Sequence, residues 1–250
     1  SCTREVREGM QIQTETPRVH KAQRSIVEML LSMYHDGGYK RGGDRDNELI
    51  QWARHFKVPV AKHMAAAPRY PVDTDPNPLI RVDMNKCILC TRCVRACAEI
   101  QGRFVWGIQG KGVEAHISAG LGEHMLDARC ETCGACVAYC PTGALSDRLA
   151  LGQPAPQQVT ATTCAYCGVG CQVRLHTREN RILHVTSSPD GPVNGMRLCV
   201  KGRYGYDFVN HPDRLTRPMV RSYLLEGRER PPRGDRGPWV AVDWDTALDI

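Results

Sequence analysis

The sequence has no run of about 18 apolar residues, so no segment of it is expected to cross a bilayer as a helix, and direct membrane insertion is not expected. It has no basic start followed by an apolar stretch and no twin-arginine pair near Ser1, so nothing in it reads as a secretory leader. Aromatic residues make up only 6%, with three Phe, and they are not interleaved with the basic ones. The 33 basic and 27 acidic residues leave a charge of +6, scattered over positions such as Arg18, Lys21 and Arg24, then Arg228, Arg230, Arg233 and Arg236. That pattern is a solvated surface, and no nucleic-acid partner is expected.

What is abundant is cysteine. Of thirteen, twelve fall into three short-spaced groups and Cys2 stands apart. Thiols spaced C-x2-C over and over are too crowded for a set of ordinary disulfides and point to metal binding in a reducing compartment, with the cytoplasm as the expected location.

The first group, Cys87, Cys90, Cys93 and Cys97, and the second, Cys130, Cys133, Cys136 and Cys140, share the spacing C-x2-C-x2-C-x3-C. In that run three cysteines on a tight loop hold three corners of an iron–sulfur cubane, and the fourth ligates the other cluster. The expected sets are therefore Cys87, Cys90, Cys93 with Cys140, and Cys130, Cys133, Cys136 with Cys97. A zinc site needs four ligands in paired C-x2-C units and leaves the third cysteine of each run without a task. Pro141 follows Cys140 as in the bacterial ferredoxin run, whereas Ala98 follows Cys97. The third group is Cys164, Cys167 and Cys171 with Cys199 further on; its spacing suits a cubane or a zinc ribbon, and the neighbouring pair of runs favours the cubane. Gly168 and Gly170 would let that loop wrap closely around a cofactor.

Around these runs, Thr16-Pro17 opens a helix with Val19, Ala22, Ile26, Met29, Leu30 and Met33 at core spacing. A second helix is expected from Asn47 to Phe56, burying Leu49, Ile50, Ala53 and Phe56. The proline-rich stretch 65–78 reads as an extended linker, and "LGQPAPQQVTAT" separates the cysteine-rich unit from the third cysteine group. "CQVRLHT" and "RILHVTS" flank Arg178, Glu179 and Asn180 as a hairpin, Asn194-Gly195 marks a tight turn, and "WVAVDWDTALDI" starts a strand-to-helix transition.

The stretches "CAYCGVGC" and "LCVKGRYGYDFVNHPDRLTRPM" resemble the amino-terminal cluster domain of molybdopterin-dependent oxidoreductases, most closely formate dehydrogenase catalytic subunits. The resemblance implies one [4Fe–4S] cluster on Cys164, Cys167, Cys171 and Cys199, beside a molybdenum or tungsten bis-molybdopterin guanine dinucleotide in the full-length protein. It also implies an electron relay at Lys201. "SCTREVREGMQIQT" resembles the end of a plant-type [2Fe–2S] domain, with Cys2 as the last ligand followed by a strand and its partners before Ser1. The next segment resembles the H-x3-C-x2-C-x5-C module of the large iron–sulfur subunit of NADH:quinone oxidoreductase. Laying His35 on its histidine puts Tyr39, Gly42 and Glu48 where cysteines belong, so Cys2 and His35 are vestiges and the module is emptied.

By resemblance the chain is α+β. It runs from a [2Fe–2S] tail (1–15) through the emptied module (16–64) to a double [4Fe–4S] ferredoxin domain (79–148). A small β-rich molybdopterin oxidoreductase cluster domain (160–218) and the start of a pterin-binding domain (219–250) complete it. The implied activity is formate oxidation to CO2 or its reverse, with three [4Fe–4S] clusters passing electrons to flavoprotein or iron–sulfur diaphorase-type subunits or to ferredoxin. The catalytic residues of that family fall beyond Ile250. The rivals are another molybdopterin enzyme such as nitrate reductase, and a non-catalytic subunit of an NADH:quinone oxidoreductase or hydrogenase complex.

Overall fold

The computed structural model describes residues 5–37 and 47–250. Among them no helix is long and apolar enough to cross a membrane. The chain divides into two compact units, Ser1–Tyr206 and Asp207–Ile250.

In the first unit, Thr16 caps α1 (Pro17–Met33), its hydroxyl accepting from the Val19 N–H at 3.3 Å. The buried face of α1 is Val27 and Leu31, continued by Tyr34 at its end. This corrects the expected stripe: Ala22, Ile26 and Met29 are exposed, and Val19, Leu30 and Met33 are half-buried. The helix packs on α2 (Glu48–His55) and α3 (Val60–His63), which cover one narrow seam and leave its other apolar side in solvent. In α2 the Asn47 side chain caps Ile50 N–H at 3.0 Å; Leu49 and Ala53 are buried, as expected, while Ile50 and Phe56 are only half-buried. No strand forms over residues 5–15; Met10 N–H instead donates to Arg7 C=O at 3.1 Å in a turn. The expected strand has no ladder partner here, and an extended segment without one stays irregular.

The proline-rich stretch is strapped down and does not behave as a loose linker. Asp73 accepts from Arg148 Nη1 and Nη2 at 2.6 and 2.8 Å, Asp75 accepts from Met125 N–H at 2.7 Å, and buried Asn77 donates to Thr132 Oγ1 at 3.1 Å.

The cysteine-rich unit runs β1 (Ile80–Val82), α4 (Arg92–Arg95), β2 (Trp106–Gln109), β3 (His116–Ala119), α5 (Ala135–Tyr139) and β4 (Leu145–Asp147). Helix α4 passes directly into a π-helical turn, Ala96–Ile100. β1 pairs antiparallel with β4, Ile80 opposite Asp147 and Val82 opposite Leu145, and β2 pairs with β3. The first pairing folds the end of the second cysteine run back onto the start of the first. The core between them is Ile80, Trp106, Ile117, Met125 and Leu145, with Cys93, Cys97 and Cys136.

β5 (Gln158–Thr163), β6 (Gln172–Arg178) and β7 (Arg181–Ser187) form a three-stranded antiparallel sheet in that order. The β6–β7 hairpin is the expected one, turning at Glu179 and Asn180, both at positive φ (50° and 57°), the backbone that a two-residue hairpin turn requires. β5 was part of the expected separator. Its residues are all exposed, so it carries no in/out alternation, and main-chain pairing to β6 decides its conformation. After β7 the chain turns at Asn194-Gly195 and enters α6 (Val200–Tyr204).

His176 on β6 and His184 on β7 stack at 4.1 Å. His176 hydrogen-bonds Thr186 Oγ1 at 2.9 Å, while His184 Nδ1 is buried without a partner. Burial, with the neighbouring His176, lowers the His184 pKa to about 4. An unfolded histidine titrates near 6.5. Between these values the unfolded chain binds the extra proton, so stability is complete above about pH 6.5 and falls as pH drops towards 4. Discounted for partial solvent screening, the loss is roughly 2 kcal/mol. Thermal melts from pH 7 to pH 4.5 should show this slope, and His184→Phe should flatten it; an unchanged slope in the variant would assign the effect elsewhere.

The second unit holds α7 (Asp207–Asn210), β8 (Met219–Arg221), α8 (Ser222–Leu225), β9 (Trp239–Ala241) and α9 (Trp244–Asp249). β8 and β9 pair antiparallel, Arg221 lies over the Trp239 ring at 4.3 Å, and Asp243 caps α9 by accepting from Thr246 N–H at 2.8 Å.

Candidate metal centres

The two C-x2-C-x2-C loops have the same backbone. Leu89 and Thr91 in the first take φ of 55° and 59°; Thr132 and Gly134, at the matching positions of the second, take 54° and 72°. Left-handed residues that are not glycine are costly and cluster where a loop must curl around a ligand. In both loops the curl turns an N–H onto the first sulfur: Leu89 N–H to Cys87 Sγ at 3.4 Å and Thr132 N–H to Cys130 Sγ at 3.3 Å. Val105 N–H likewise reaches Cys97 Sγ at 3.3 Å, and the Trp106 side chain hydrogen-bonds Cys136.

The fourth cysteines diverge. Cys140 ends α5 in extended backbone (ψ 116°), because Pro141 stops the helix and disfavours the helical region for the residue before it. Cys97, followed by Ala98, stays in the π-helical turn. Each still arrives at the opposite loop. One small cavity is lined by Cys87, Cys90, Cys93 and Cys140; another by Cys97, Cys130, Cys133 and Cys136.

The thiols are held where ionisation is costly without a counter-charge. Burial pushes the Cys87 thiol up to about 11, with Cys140 and Cys90 adding to the rise, and the Cys93 thiol up to about 12, with Cys140, Cys87 and Cys90 adding. Burial raises the Cys136 thiol well above its ordinary value, and Cys130, Cys133 and Cys93 add to the rise. Four thiols around one cavity fit a cationic iron–sulfide core, which would supply positive charge and release their protons on binding. Among the described residues no three His, Cys, Asp or Glu side chains converge as a single-ion site would need.

In the third group Cys164 N–H donates to Cys171 C=O at 2.7 Å, closing the loop, and Cys199 caps α6. Burial first, then Cys164, Cys167 and Cys199, raises the Cys171 thiol, so these four also share one neighbourhood. Asn194 makes this happen. Its Oδ1 accepts from Gln172 N–H at 2.7 Å, and its Nδ2 donates to Gln172 C=O at 3.0 Å and Arg197 C=O at 2.8 Å, tying the approach to Cys199 onto the residue after Cys171. Gly170 takes φ 72°, as a close loop requires, while nothing lies within 4 Å of a Cβ placed at Gly168. Lys201 is exposed on α6.

Cys2, Tyr39 and Gly42 lie outside the described residues. His35 Nδ1 hydrogen-bonds Ala65 C=O at 2.8 Å, and its main-chain N–H donates to Asn85 C=O at 2.8 Å. Glu48 accepts twice from Arg92 Nη1, at 2.9 and 2.8 Å, and its N–H donates to Pro141 C=O at 2.8 Å. Positions that would hold ligands in the resembled module thus brace both cysteine loops. Sequence reasoning missed Asn194, Trp106 and Arg203. Arg203, one helical turn after Cys199, donates through Nε to Cys133 C=O at 3.1 Å. Its spacing from Cys199 was the available signal, but its partner 70 residues away was invisible.

Residues 157–211 match the molybdopterin oxidoreductase Fe4S4 domain family, and residues 77–146 match the ferredoxin-like domain of NADH-quinone oxidoreductase subunit 3. The chain is 31% identical over 250 residues to the NADPH-Fe(3+) oxidoreductase subunit alpha of Geobacter sulfurreducens, spanning 99% of this chain and 27% of the relative. It is 31% identical over 259 residues to an NADH-quinone oxidoreductase subunit of Rhizobium meliloti, spanning 100% of this chain and 28% of the relative. A Staphylococcus aureus protein provisionally named a formate dehydrogenase is 25% identical over 295 residues, 100% of this chain and 28% of its own. The chain thus spans about a quarter of the length of these curated relatives. Its fold is similar to a chain of an NAD+-reducing [NiFe]-hydrogenase crystal structure, with a TM-score of 0.53, 24% identity, and coverage of 60% of this chain and 64% of that one. The chain carries Fe4S4-type cluster domains of the oxidoreductase kind.

Proposed function

We propose that the chain is the electron-transfer portion of a formate dehydrogenase of the molybdopterin type, holding three [4Fe–4S] clusters. Bound clusters of this kind accept and release single electrons, here between a molybdenum or tungsten pterin centre in the full-length protein and a partner subunit. The proposed ligand sets are Cys87, Cys90, Cys93 and Cys140; Cys97, Cys130, Cys133 and Cys136; and Cys164, Cys167, Cys171 and Cys199. The observation that carries the first two is the pair of cavities, each lined by four cysteines drawn from both repeats. The chain's own residues tune them: N–H groups of Leu89, Thr132 and Val105 donate to ligand sulfurs and favour the more negative, reduced state. Exposed Lys201, two residues past Cys199, is proposed as the relay towards the pterin. Diaphorase-type subunits or ferredoxin are the proposed acceptors, the cytoplasm the proposed compartment, and Cys2 and His35 vestigial ligands.

A second reading has its own support. The match of residues 77–146 to a quinone-oxidoreductase subunit domain suits a non-catalytic iron–sulfur subunit equally well. Formate-dependent dye reduction by the full-length protein separates the two, since a pure relay gives none. For the wire itself, the anaerobically purified chain should contain about twelve iron and twelve sulfide, three cubanes at four each. Zinc in place of iron would sink the electron-transfer reading, and about sixteen iron would mean that the His35 module finds ligands elsewhere.

A further inference from the structure

Arg203 is a fully charged side chain only 3% exposed. A buried guanidinium is costly to keep, and this one is incompletely paired: its Nη2 is buried without a partner. Its contacts are specific. Its main-chain N–H donates to Cys199 C=O at 3.2 Å, and its Nε–H donates to Cys133 C=O at 3.1 Å. A single residue is therefore hydrogen-bonded to a cysteine of the third group and a cysteine of the second. The opposing surface is cut to fit it. A Cβ at Gly134 would lie 2.4 Å from Arg203 Cδ and 2.6 Å from Tyr204 Oη, so only glycine lets the side chain lie across the loop.

We infer that Arg203 is the positioning residue for electron passage between the third cysteine set and the Cys97, Cys130, Cys133 and Cys136 set, fixing their separation and favouring the reduced state of the latter. The inference rests on the ligand sets proposed above. With clusters bound, the third set would hold the electron donor and the Cys133 set the acceptor, one electron oxidising the first and reducing the second, while Arg203 holds the two sets together. No bond forms or breaks and no proton moves. The route makes the second cysteine loop, not the first, the entry point to the ferredoxin unit.

The test is an EPR-monitored redox titration of the anaerobically purified, iron-loaded full chain and its Arg203→Gln, Arg203→Met and Arg203→Lys variants. The signal of the Cys133 set is assigned with Cys133→Ser. Removing the charge (Gln, Met) should lower the reduced-to-oxidised ratio of that set about tenfold at a fixed potential, about 59 mV for one electron. Lys, which keeps the charge, should stay within about threefold, and the Cys87 set should not move. An unmoved ratio in fully loaded Gln and Met variants overturns the inference, as does a Lys variant that falls as far as Gln. Where Gln and Met fail to load, Gly134→Ala, which crowds Arg203 Cδ and also strains the loop at φ 72°, should lower the ratio at least threefold, and a wild-type ratio there overturns it. Failure of the underlying reading looks different: the wild-type chain itself would then carry no iron and no EPR signal.

Discussion

Replacing Cys140 with alanine should cost the chain four irons, and the cluster lost should be the one on Cys87, Cys90 and Cys93, 47 residues away from Cys140 at the nearest. Cys140 lines the same cavity as Cys87, Cys90 and Cys93, and each of those three thiols is raised in part by Cys140. A cubane deprived of one of four thiolates is exposed to solvent and lost, so the content drops from about twelve iron to about eight. Double variants make the prediction sharp. Cys87→Ala with Cys140→Ala should keep about eight, because both changes strike one cluster, whereas Cys130→Ala with Cys140→Ala should keep about four. The reverse pattern, four for the first pair and eight for the second, would show that each run keeps its own cluster. Far-UV circular dichroism separates cluster loss from wholesale unfolding.

Asn194→Leu should abolish the third cluster without touching a cysteine. The side chain is buried and satisfies Gln172 N–H, Gln172 C=O and Arg197 C=O, all main-chain groups. An apolar replacement leaves Gln172 N–H and Arg197 C=O without that partner, while Gln172 C=O keeps the Ser188 N–H at 3.3 Å, so at about 1–3 kcal/mol for each buried group a loss of about 2 kcal/mol is expected. The same bonds hold the approach to Cys199 against the residue after Cys171, so iron should fall to about eight while the two ferredoxin signals persist. Asn194→Asp keeps the acceptor and loses the donors, and should fall between. Wild-type stability and iron in Asn194→Leu would mean that Cys199 is placed by α6 alone.

Much of this was legible in sequence because it is local. Thr16 and Asn47 each cap the helix that follows them, Glu179-Asn180 sits at the hairpin turn, and the cysteine runs repeat at one spacing. In each case the signal and the partner lie within a few residues or repeat at a fixed period. The rotated core face of α1 was not legible, since Val27 and Leu31 differ from Ile26 and Met29 only in what packs against them. Nor was β5, whose uniformly exposed residues leave the ladder to β6 as its sole organiser.

The sequence by itself determined the chemistry of this chain. Thiols at these intervals can do little else than hold sulfur-liganded metal. The tertiary structure decided the connections. The β1–β4 pairing folds Cys140 onto the first loop, the Asp73–Arg148 pair turns a proline-rich stretch into a strap, and α2 seats Glu48 on Arg92. Arg203 meets Cys133 across 70 residues of chain. Such contacts depend on how separately specified elements pack, and packing joins residues whose separation along the chain carries no periodic or compositional trace.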